Sequence, residues 1–234
     1  METPKYKNAL IVGAGAGLSA SLARLFAREG MAVALAARNT DKLTALAAET
    51  RAIALACDAS DAAQVERLFS SVDAQLGAPS VVVYNAGRRV RGLVEALDPA
   101  EVQRAWMVGC FGGFLVAQQA VRRMMKAGRG TILFTGATAS VKGFAQSAGF
   151  AMGKFALRGL AQSLARELAP KGIHVAHIVI DGGIASSYAK SAEERASDHF
   201  LDPDAIAREY LHLHRQHRSA WTWELELRPH SENF

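Results

Sequence analysis

The sequence predicts an α/β protein with a doubly wound parallel sheet, a Rossmann-like three-layer αβα arrangement in a single domain. Short and uniformly apolar segments alternate with helical patterns along most of the chain. A run of closely spaced glycines follows the first apolar segment directly. The 234 residues are enough for one such domain and few for two. Strands that are apolar throughout are typical of a parallel sheet covered by helices on both faces.

Each element follows from its own apolar pattern, taken in chain order. Short apolar runs predict buried strands, and longer amphipathic stretches between them predict helices. The predicted strands are residues 9–12, 32–36, 53–56, 80–84, 131–135 and 174–180. The predicted helices are residues 18–29, 42–49, 62–75, 99–126 and 150–168. Right-handed crossovers between parallel strands then produce the doubly wound order.

The pattern loosens after Ile184. Residues 185–197 are polar and alanine-rich, which predicts a mobile helix or a lid, and residues 204–218 have a helical pattern. Residues 221–227 alternate like a short strand or an extended arm, and their two tryptophans indicate a face that packs against something. We therefore expect residues 1–184 to form the core and residues 185–234 to form a lid segment and C-terminal appendage of the same domain.

Composition and charge argue against several classes of protein. No apolar run approaches the roughly 18–20 residues that span a bilayer, and the short polar start leaves no room for a signal peptide. We therefore expect a cytoplasmic protein with no membrane partner, in which Cys57 and Cys110 stay reduced. The net charge is +5, but the basic residues are scattered, so no nucleic-acid partner is expected.

Three histidines near the C-terminus, His212, His214 and His217, could suggest a metal site. Two imidazoles spaced by one residue point to different faces of a helix, and no cysteine or carboxylate completes a tetrahedral set. The sequence therefore predicts a solvated amphipathic helix here and no metal.

Gly13, Gly15 and Gly17 follow the first predicted strand and open the first predicted helix. This position gives a G-x-G-x-x-G-like run its meaning, because glycine lets the backbone turn tightly and approach a pyrophosphate. The start of the helix adds free N–H groups and a partial positive charge. A plain glycine-rich turn is the alternative, but three glycines at the first strand–helix junction favour a dinucleotide site.

Arg38 follows the second predicted strand, where the choice between NAD and NADP is usually made. A carboxylate there accepts hydrogen bonds from a ribose 2′-hydroxyl, whereas an arginine accommodates a 2′-phosphate. No acidic residue occurs between the end of this strand and Asp41. The sequence therefore favours NADP, with NAD as the alternative if Arg38 merely stacks on the adenine from the surface.

Several short motifs resemble those of the short-chain dehydrogenase/reductase family. The turn from Gly13 is similar to that family's G-x-x-x-G-x-G, with Ser19 in place of the last glycine. Asp58 stands where the family has an aspartate that contacts the adenine. The run Asn85-Ala86-Gly87 matches the N-A-G that lines the cofactor, and the resemblance extends to about Ile184.

This resemblance implies an NADP-binding or NAD-binding oxidoreductase. Residues 181–184 occupy the place of the family's P-G-x-V loop near the nicotinamide, although the proline is missing. Because helices such as 99–126 and 150–168 commonly pair in this family, a homodimer or homotetramer is expected. The residues expected to bind the cofactor are Gly13, Gly15, Ala16, Gly17, Leu18, Arg38, Asp58, Ala59, Asn85, Ala86, Gly87, Lys154, Gly182 and Ile184.

The catalytic residues depart from the family's pattern. The family uses a tyrosine as general acid/base, a lysine four residues later, a serine thirteen residues before the tyrosine and an asparagine on the preceding helix. Lys154 is present, but the other three positions hold Phe150, Ala137 and Gly109. A solvent-facing surface lysine is the alternative reading of Lys154, although its spacing from Phe150 favours a ribose-binding role.

Losing a positioned general acid typically costs about 10²–10⁴ in rate. Hydride transfer itself is the cofactor's chemistry, so turnover survives if another group protonates the substrate oxygen. Thr135, Thr138, Ser140 and Tyr188 lie close in sequence to the expected site. Thr138 and Ser140 follow the strand end directly and are the preferred candidates, against the alternative that they are ordinary loop hydroxyls.

Two functions fit this combination of residues. One is an atypical oxidoreductase that acts on a small-molecule carbonyl or alcohol, with Lys154, Thr138 and Ser140 as its catalytic residues. The other is a catalytically silent NADP(H)-binding protein that serves as a redox sensor or an assembly partner. We favour the enzyme, because the pocket is otherwise intact.

Overall fold

The computed structural model describes residues 7–189, 191, 193–194 and 199–231. Within these residues, seven parallel strands form one sheet in the order β3-β2-β1-β4-β5-β6-β7. Helices cover both faces, so the predicted doubly wound fold is confirmed. The strands are β1 Asn8–Val12, β2 Ala32–Ala37, β3 Ile53–Ala56, β4 Val81–Tyr84, β5 Gly130–Thr135, β6 Ile173–Ile180 and β7 Glu224–Leu227. The helices are α1 Leu18–Arg28, α2 Thr44–Thr50, α3 Ala62–Leu76, α4 Pro99–Trp106, α5 Gly112–Ala127, α6 Ala148–Leu168, α7 Ala185–Tyr188 and α8 Pro203–Arg215.

The two faces of the sheet carry separate apolar cores. Successive strand residues point to opposite faces, so Ile11 of β1 packs with α1 and α8 on one side, while Leu10 packs with α3, α5 and α6 on the other. Every residue of β1, β4 and β6 is buried, which explains why these strands are largely apolar. Because helices cover both faces, ligands approach the sheet at its carboxyl edge, where the parallel strands end, or at its amino edge, where they begin.

The predicted helix 99–126 is interrupted. The chain forms α4, then a π-helical turn at Met107–Phe111, and then α5. At Gly112 a Cβ atom would lie 2.5 Å from the Tyr84 hydroxyl and 2.7 Å from the Ala59 carbonyl oxygen, so α5 passes directly against the end of β4. One extra residue in the turn leaves the apolar spacing nearly helical, which is why the pattern predicts one long helix.

The C-terminal segment adds one helix and one strand to the core. α8 begins at the N-cap Asp202 and ends at Arg215, earlier than the predicted residue 218. The predicted short strand is present as β7, which pairs with β6 in parallel. The predicted lid lies partly outside the described residues, which include α7 and few residues after it. None of the described helices is long and apolar enough to cross a membrane.

Candidate functional site

The expected site lies at the carboxyl edge of the sheet, where the strand order reverses between β1 and β4. Open α/β sheets bind ligands in the crevice at such a point, because the loops leaving the two strands run in opposite directions. The loops after β1, β4 and β5 carry the glycine turn, the Asn85-Ala86-Gly87 run and residues 136–140. The fold therefore brings the residues predicted for the cofactor to one edge.

The glycine turn has the geometry of a phosphate cradle. Gly13 has φ +85°, and a Cβ there would lie 2.3 Å from the Ala86 nitrogen. An added Cβ at Gly15 would meet no protein atom within 4 Å, so this glycine borders open space. Gly17 is the N-cap of α1, and no side chain of the described residues caps that helix start. The first amides of α1 are therefore available to an anion.

Ser19, which replaces the family's last glycine, holds the turn in place. Its hydroxyl donates to the Gly13 carbonyl at 3.2 Å, and the Asn85 amide donates to the Ser19 hydroxyl at 2.8 Å. The Asn85 backbone N–H also donates to the Val12 carbonyl at 2.8 Å. Ser19 thus joins the two cofactor loops, a structural role that the sequence analysis did not predict. The serine–asparagine pairing is visible only when both loops are placed.

Arg38 and Asp58 leave the neighbouring strands β2 and β3, so they lie on the same side of the glycine turn. The Arg38 side chain is exposed and makes no hydrogen bond or ion pair with any residue that the structure describes. Asp58 is more fixed, because its Oδ1 accepts from both the backbone N–H and the hydroxyl of Ser60, at 2.9 and 2.6 Å. This leaves Arg38 able to reach a charged group at the end of β2.

Lys154 is buried at the carboxyl edge and does not face solvent. Its Nζ donates to the Thr135 carbonyl at 2.6 Å. Burial, together with a smaller effect of the nearby Arg89 guanidinium, lowers the pKa of the ammonium to about 8. The centroid of the Phe150 ring lies 5.9 Å from Nζ. An amine with this pKa exchanges protons close to neutral pH.

Phe150, which the sequence resemblance pairs with the family's tyrosine, presents an aromatic ring near Lys154. The ring is half-buried, and the Arg89 guanidinium carbon lies 4.9 Å from its centroid. Ala137 begins the turn after β5. Gly109 lies in the π-helical turn, where an added Cβ would be 3.4 Å from the Gly153 Cα. None of these three side chains can donate or accept a proton.

Two tyrosine hydroxyls, those of Tyr84 and Tyr210, lie near the carboxyl edge of the sheet, but both side chains are fully buried. Tyr210 of α8 shares a hydrogen bond with the Thr135 hydroxyl at 2.8 Å, and the Tyr84 hydroxyl donates to the Val108 carbonyl. Burial raises the pKa of both phenols above the usual range. The two hydroxyls therefore hold Thr135 and the Val108 carbonyl in place, a role that no sequence motif predicts. The side chain of Tyr188 lies outside the described residues.

Thr138 and Ser140, the predicted substitute donors, have different environments. Ser140 is fully buried, and its hydroxyl accepts from the Ala137 N–H at 3.1 Å. Thr138 is half-buried, and within the described part of the chain its hydroxyl makes no hydrogen bond. Thr138 is therefore the better placed of the two to contact a ligand.

The loop at residues 181–184 is covered by a C-terminal arm, which consists of residues 228 and 229 directly after β7. Gly182 has φ +147°, and a Cβ there would lie 2.7 Å from a ring carbon of Pro229. The Asp181 carboxylate pairs with Arg228 at 2.6 Å, and Ile184 forms a bridge with Leu201. The arm therefore fixes the backbone that lies beside the expected nicotinamide position.

The histidine-rich end of α8 is exposed at His212, as the sequence predicts for a solvated amphipathic helix, but not at His214. His214 is buried, and its Nδ1 lies 2.8 Å from the Thr131 hydroxyl, which holds α8 against the start of β5. Trp221 stacks on the ring of His174 at 4.8 Å. Among the described residues, no group of histidine, cysteine or carboxylate side chains is arranged to hold a metal ion.

Comparison with known proteins places this geometry in a family. The model of the short chain dehydrogenase family matches residues 7–197. A short-chain dehydrogenase from Rhodopseudomonas palustris has a TM-score of 0.84 and 35% identity, covering 97% of this chain and 100% of that one. An alcohol dehydrogenase from Thermococcus sibiricus, solved with 5-hydroxy-NADP, has a TM-score of 0.86 and 26% identity, covering 97% and 98% of the two chains.

A sequence relative gives the same result. The 3-oxoacyl-[acyl-carrier-protein] reductase MabA of Mycobacterium tuberculosis is 27% identical over 189 residues, which are 81% of this chain and 74% of that protein. The chain belongs to the short-chain dehydrogenase family of oxidoreductases.

Proposed function

We propose that the protein is an NADP(H)-dependent oxidoreductase that interconverts a small carbonyl compound and its alcohol without a catalytic tyrosine. The observation that carries this proposal is Lys154, a buried ammonium whose pKa is about 8 and which lies at the carboxyl edge of the sheet. A group of this kind can supply the proton that the missing tyrosine would otherwise give.

The described residues fit a dinucleotide. The open space at Gly15 and the uncapped start of α1 suit a pyrophosphate, and the exposed Arg38 suits a 2′-phosphate. Two structural relatives carry NADP or its 5-hydroxy derivative in their crystals, which supports the same choice. When bound, the nicotinamide supplies the hydride. Asp58, Ala59, Asn85, Gly182 and Ile184 would complete the walls of the site.

The protein's own residues would manage the proton and the substrate oxygen. In the reductive direction the Lys154 ammonium donates one Nζ proton to the oxygen that becomes the alcohol, and the neutral amine then regains a proton from solvent. Thr138 would donate a hydrogen bond to the same oxygen before transfer. The Thr135 carbonyl and the ring of Phe150 keep the ammonium in position. The rate is expected to fall below that of a tyrosine enzyme by up to about 10²–10⁴.

A silent NADP(H)-binding protein is the second candidate. The observation that favours it is the joint replacement of three catalytic positions by Phe150, Ala137 and Gly109, beside an intact cradle. In this case the bound dinucleotide would report redox state or support assembly, and Lys154 would only hold the ribose.

The first experiment is a fluorescence titration with NADPH and NADH. We expect NADPH to bind at least about tenfold more tightly, because a charged hydrogen bond to a phosphate contributes about 1.5–3 kcal/mol. Arg38→Ala should remove that preference and leave NADH binding unchanged, and the matched control Arg51→Ala should alter neither. Failure to bind either dinucleotide would overturn both candidates.

The second experiment measures turnover on a panel of carbonyls and alcohols, with the wild type beside Phe150→Tyr and Lys154→Met. Activity in the wild type that Lys154→Met abolishes supports the enzyme. An inactive wild type that binds NADPH, with activity gained in Phe150→Tyr, supports the silent binder. Thr138→Ala and Ser140→Ala then separate the two hydroxyls, since only the former is expected to slow turnover.

We further propose a homodimer or homotetramer assembled through α4, α5 and α6. Trp106, Phe114, Met152 and Phe155 are large apolar side chains exposed on these helices. Stacked rings of Trp106, Phe111 and Phe114 make this surface continuous, and such patches mark association sites. Light scattering should show a dimer or tetramer in the wild type and a smaller species in Phe114→Glu/Phe155→Glu. A monomeric wild type would contradict the proposal.

A further inference from the structure

We propose a second binding site, for a small organic phosphate or carboxylate, at the amino edge of the sheet. A cleft of about 840 Å³ opens there, beside the starts of β1, β4, β5 and β6 and the ends of α5 and α8. Because the strands are parallel, this cleft lies at the edge opposite the glycine turn. Its volume falls in the range of small-molecule sites, which is roughly 300–1,000 Å³.

The lining of the cleft carries positive charge without a carboxylate. Five basic side chains line it, and none of the lining residues is an aspartate or a glutamate. The five are Lys7, Arg123, Arg129, Arg215 and Arg218. Two are neutralised from outside the cleft, because Arg123 pairs with Asp73 at 2.7 Å and Arg215 pairs with Glu29. Lys7, Arg129 and Arg218 are exposed and form no ion pair with any residue in the described ranges.

The negative ends of neighbouring helices offset only part of this positive charge. α3, α5 and α8 end beside the cleft, and each helix C-terminus carries a partial negative charge of about half an elementary charge. Together they offset about one and a half charges, which is less than the three cations that lack an ion pair. The cleft thus keeps a net positive field, and guanidinium groups recognise oxyanions through paired hydrogen bonds.

The walls between the cations are apolar and aromatic. Leu76, Pro79, Met124 and Trp221 contribute them, and Trp221 is held flat against the His174 ring at 4.8 Å with 1° between the planes. These walls suit a ligand with a hydrocarbon or ring body, and the cations suit its charged end. An organic oxyanion therefore fits the cleft better than an inorganic ion.

The buried histidine behind Trp221 adds a polar group to the lining. His174 Nε2 lies 2.8 Å from the Thr222 carbonyl, and Nδ1 has no hydrogen-bond partner among the described residues. Burial lowers the pKa of His174, while the carbonyls of Thr222 and Leu213 favour its protonated form. The side chain is only 3% exposed. A nearby anion would shift this balance toward the protonated ring.

The test is calorimetric titration of phenyl phosphate and of inorganic pyrophosphate into the full chain, each with and without saturating NADPH. Arg129→Ala/Arg218→Ala removes two exposed cleft cations. Arg122→Ala/Arg166→Ala is the matched control, because both arginines are exposed and neither lines the cleft. Thermal unfolding of each variant checks that the fold is kept.

With NADPH occupying the glycine turn, which itself suits a pyrophosphate, we expect phenyl phosphate to bind the wild type more tightly than pyrophosphate does. NADPH should leave the affinity for phenyl phosphate unchanged. The cleft variant should weaken phenyl phosphate binding at least about tenfold, and the control should stay within about twofold. The proposal is overturned if the wild type does not bind phenyl phosphate, if both variants lose affinity equally, or if NADPH displaces it. Tighter binding of pyrophosphate than of phenyl phosphate in the presence of saturating NADPH would equally contradict the role of the apolar walls.

Discussion

At the scale of single residues, Lys154 determines how the proposed activity depends on pH. Its pKa is about 8, well below the usual value near 10.5. Reduction uses the ammonium, so kcat for carbonyl reduction should fall as the pH rises through about 8. Lys154→Met should lower kcat by about 10²–10⁴ and remove this inflection. If Lys154→Met changes only the KM for NADPH, the lysine holds the ribose and moves no proton.

The same lysine also affects stability. Because its pKa is lower in the folded protein, the unfolded chain binds more protons between pH 8 and 10.5, and stability rises with pH across that window. At neutral pH the buried ammonium costs up to roughly 3 kcal/mol. Urea unfolding should therefore show Lys154→Met to be more stable than the wild type at pH 7, and the difference should shrink at pH 10.

Gly13 and Gly15 offer a matched pair of substitutions in the cradle. Gly15→Ala puts a methyl group into open space, so the unfolding temperature without cofactor should stay the same while NADPH affinity falls at least about tenfold. Gly13→Ala meets the Ala86 backbone at φ +85°, so stability itself should fall by more than about 1–2 kcal/mol. A Gly15→Ala variant that binds NADPH like the wild type would place the pyrophosphate elsewhere.

At the scale of elements, Gly112 and Gly159 should respond in opposite directions to the same change. A methyl group on Gly112 would press α5 against Tyr84 and Ala59, so Gly112→Ala should destabilise by at least about 1–3 kcal/mol. Gly159 is exposed inside α6 with no atom near its missing Cβ, so Gly159→Ala should stabilise by about 0.5–1 kcal/mol. Denaturant unfolding measures both; equal effects would contradict the close approach of α5 to β4.

The elements show what the sequence could predict. Six strands and most helices follow from apolar runs, because a parallel sheet buried on both faces leaves few polar positions in its strands. The π-helical turn at Met107–Phe111 was missed, since one extra residue barely changes the spacing of apolar side chains. The burial of His214 was also missed, because its partner Thr131 is remote in sequence.

The candidate site likewise contains residues that sequence motifs predict and contacts that only the fold reveals. The glycine turn, Asn85 and Lys154 could be named from motifs as candidate site residues, because each motif lies within one short stretch of the sequence. The clamp between Ser19 and Asn85, the Tyr210–Thr135 contact and the cover over Gly182 could not, because each joins segments that meet only in the fold.

At the scale of the whole molecule, buried histidines couple the C-terminal segment to the sheet. His177 of β6 is fully buried, with Nδ1 3.1 Å from the Glu224 carboxylate of β7, which also pairs with Arg158. His214 joins α8 to β5 through the hydroxyl of Thr131. Burial lowers the pKa of His177 to about 4 and that of His214 to about 3, so both are neutral in the folded protein at pH 7.

This arrangement should make the molecule acid-sensitive. Below pH 6.5 the unfolded chain protonates these histidines while the folded chain does not, so stability falls as the pH drops from 6.5 toward about 4. Each histidine contributes about 1.4 kcal/mol per pH unit across that window. Urea unfolding at pH 7, 6 and 5 should show this slope in the wild type and in the control His212→Gln, whose side chain is exposed. His214→Gln should be less stable at pH 7 but have a shallower slope, because one protonation is removed. An unchanged slope in His214→Gln would contradict the prediction, because it would mean that burial does not lower the pKa of His214 in the folded protein.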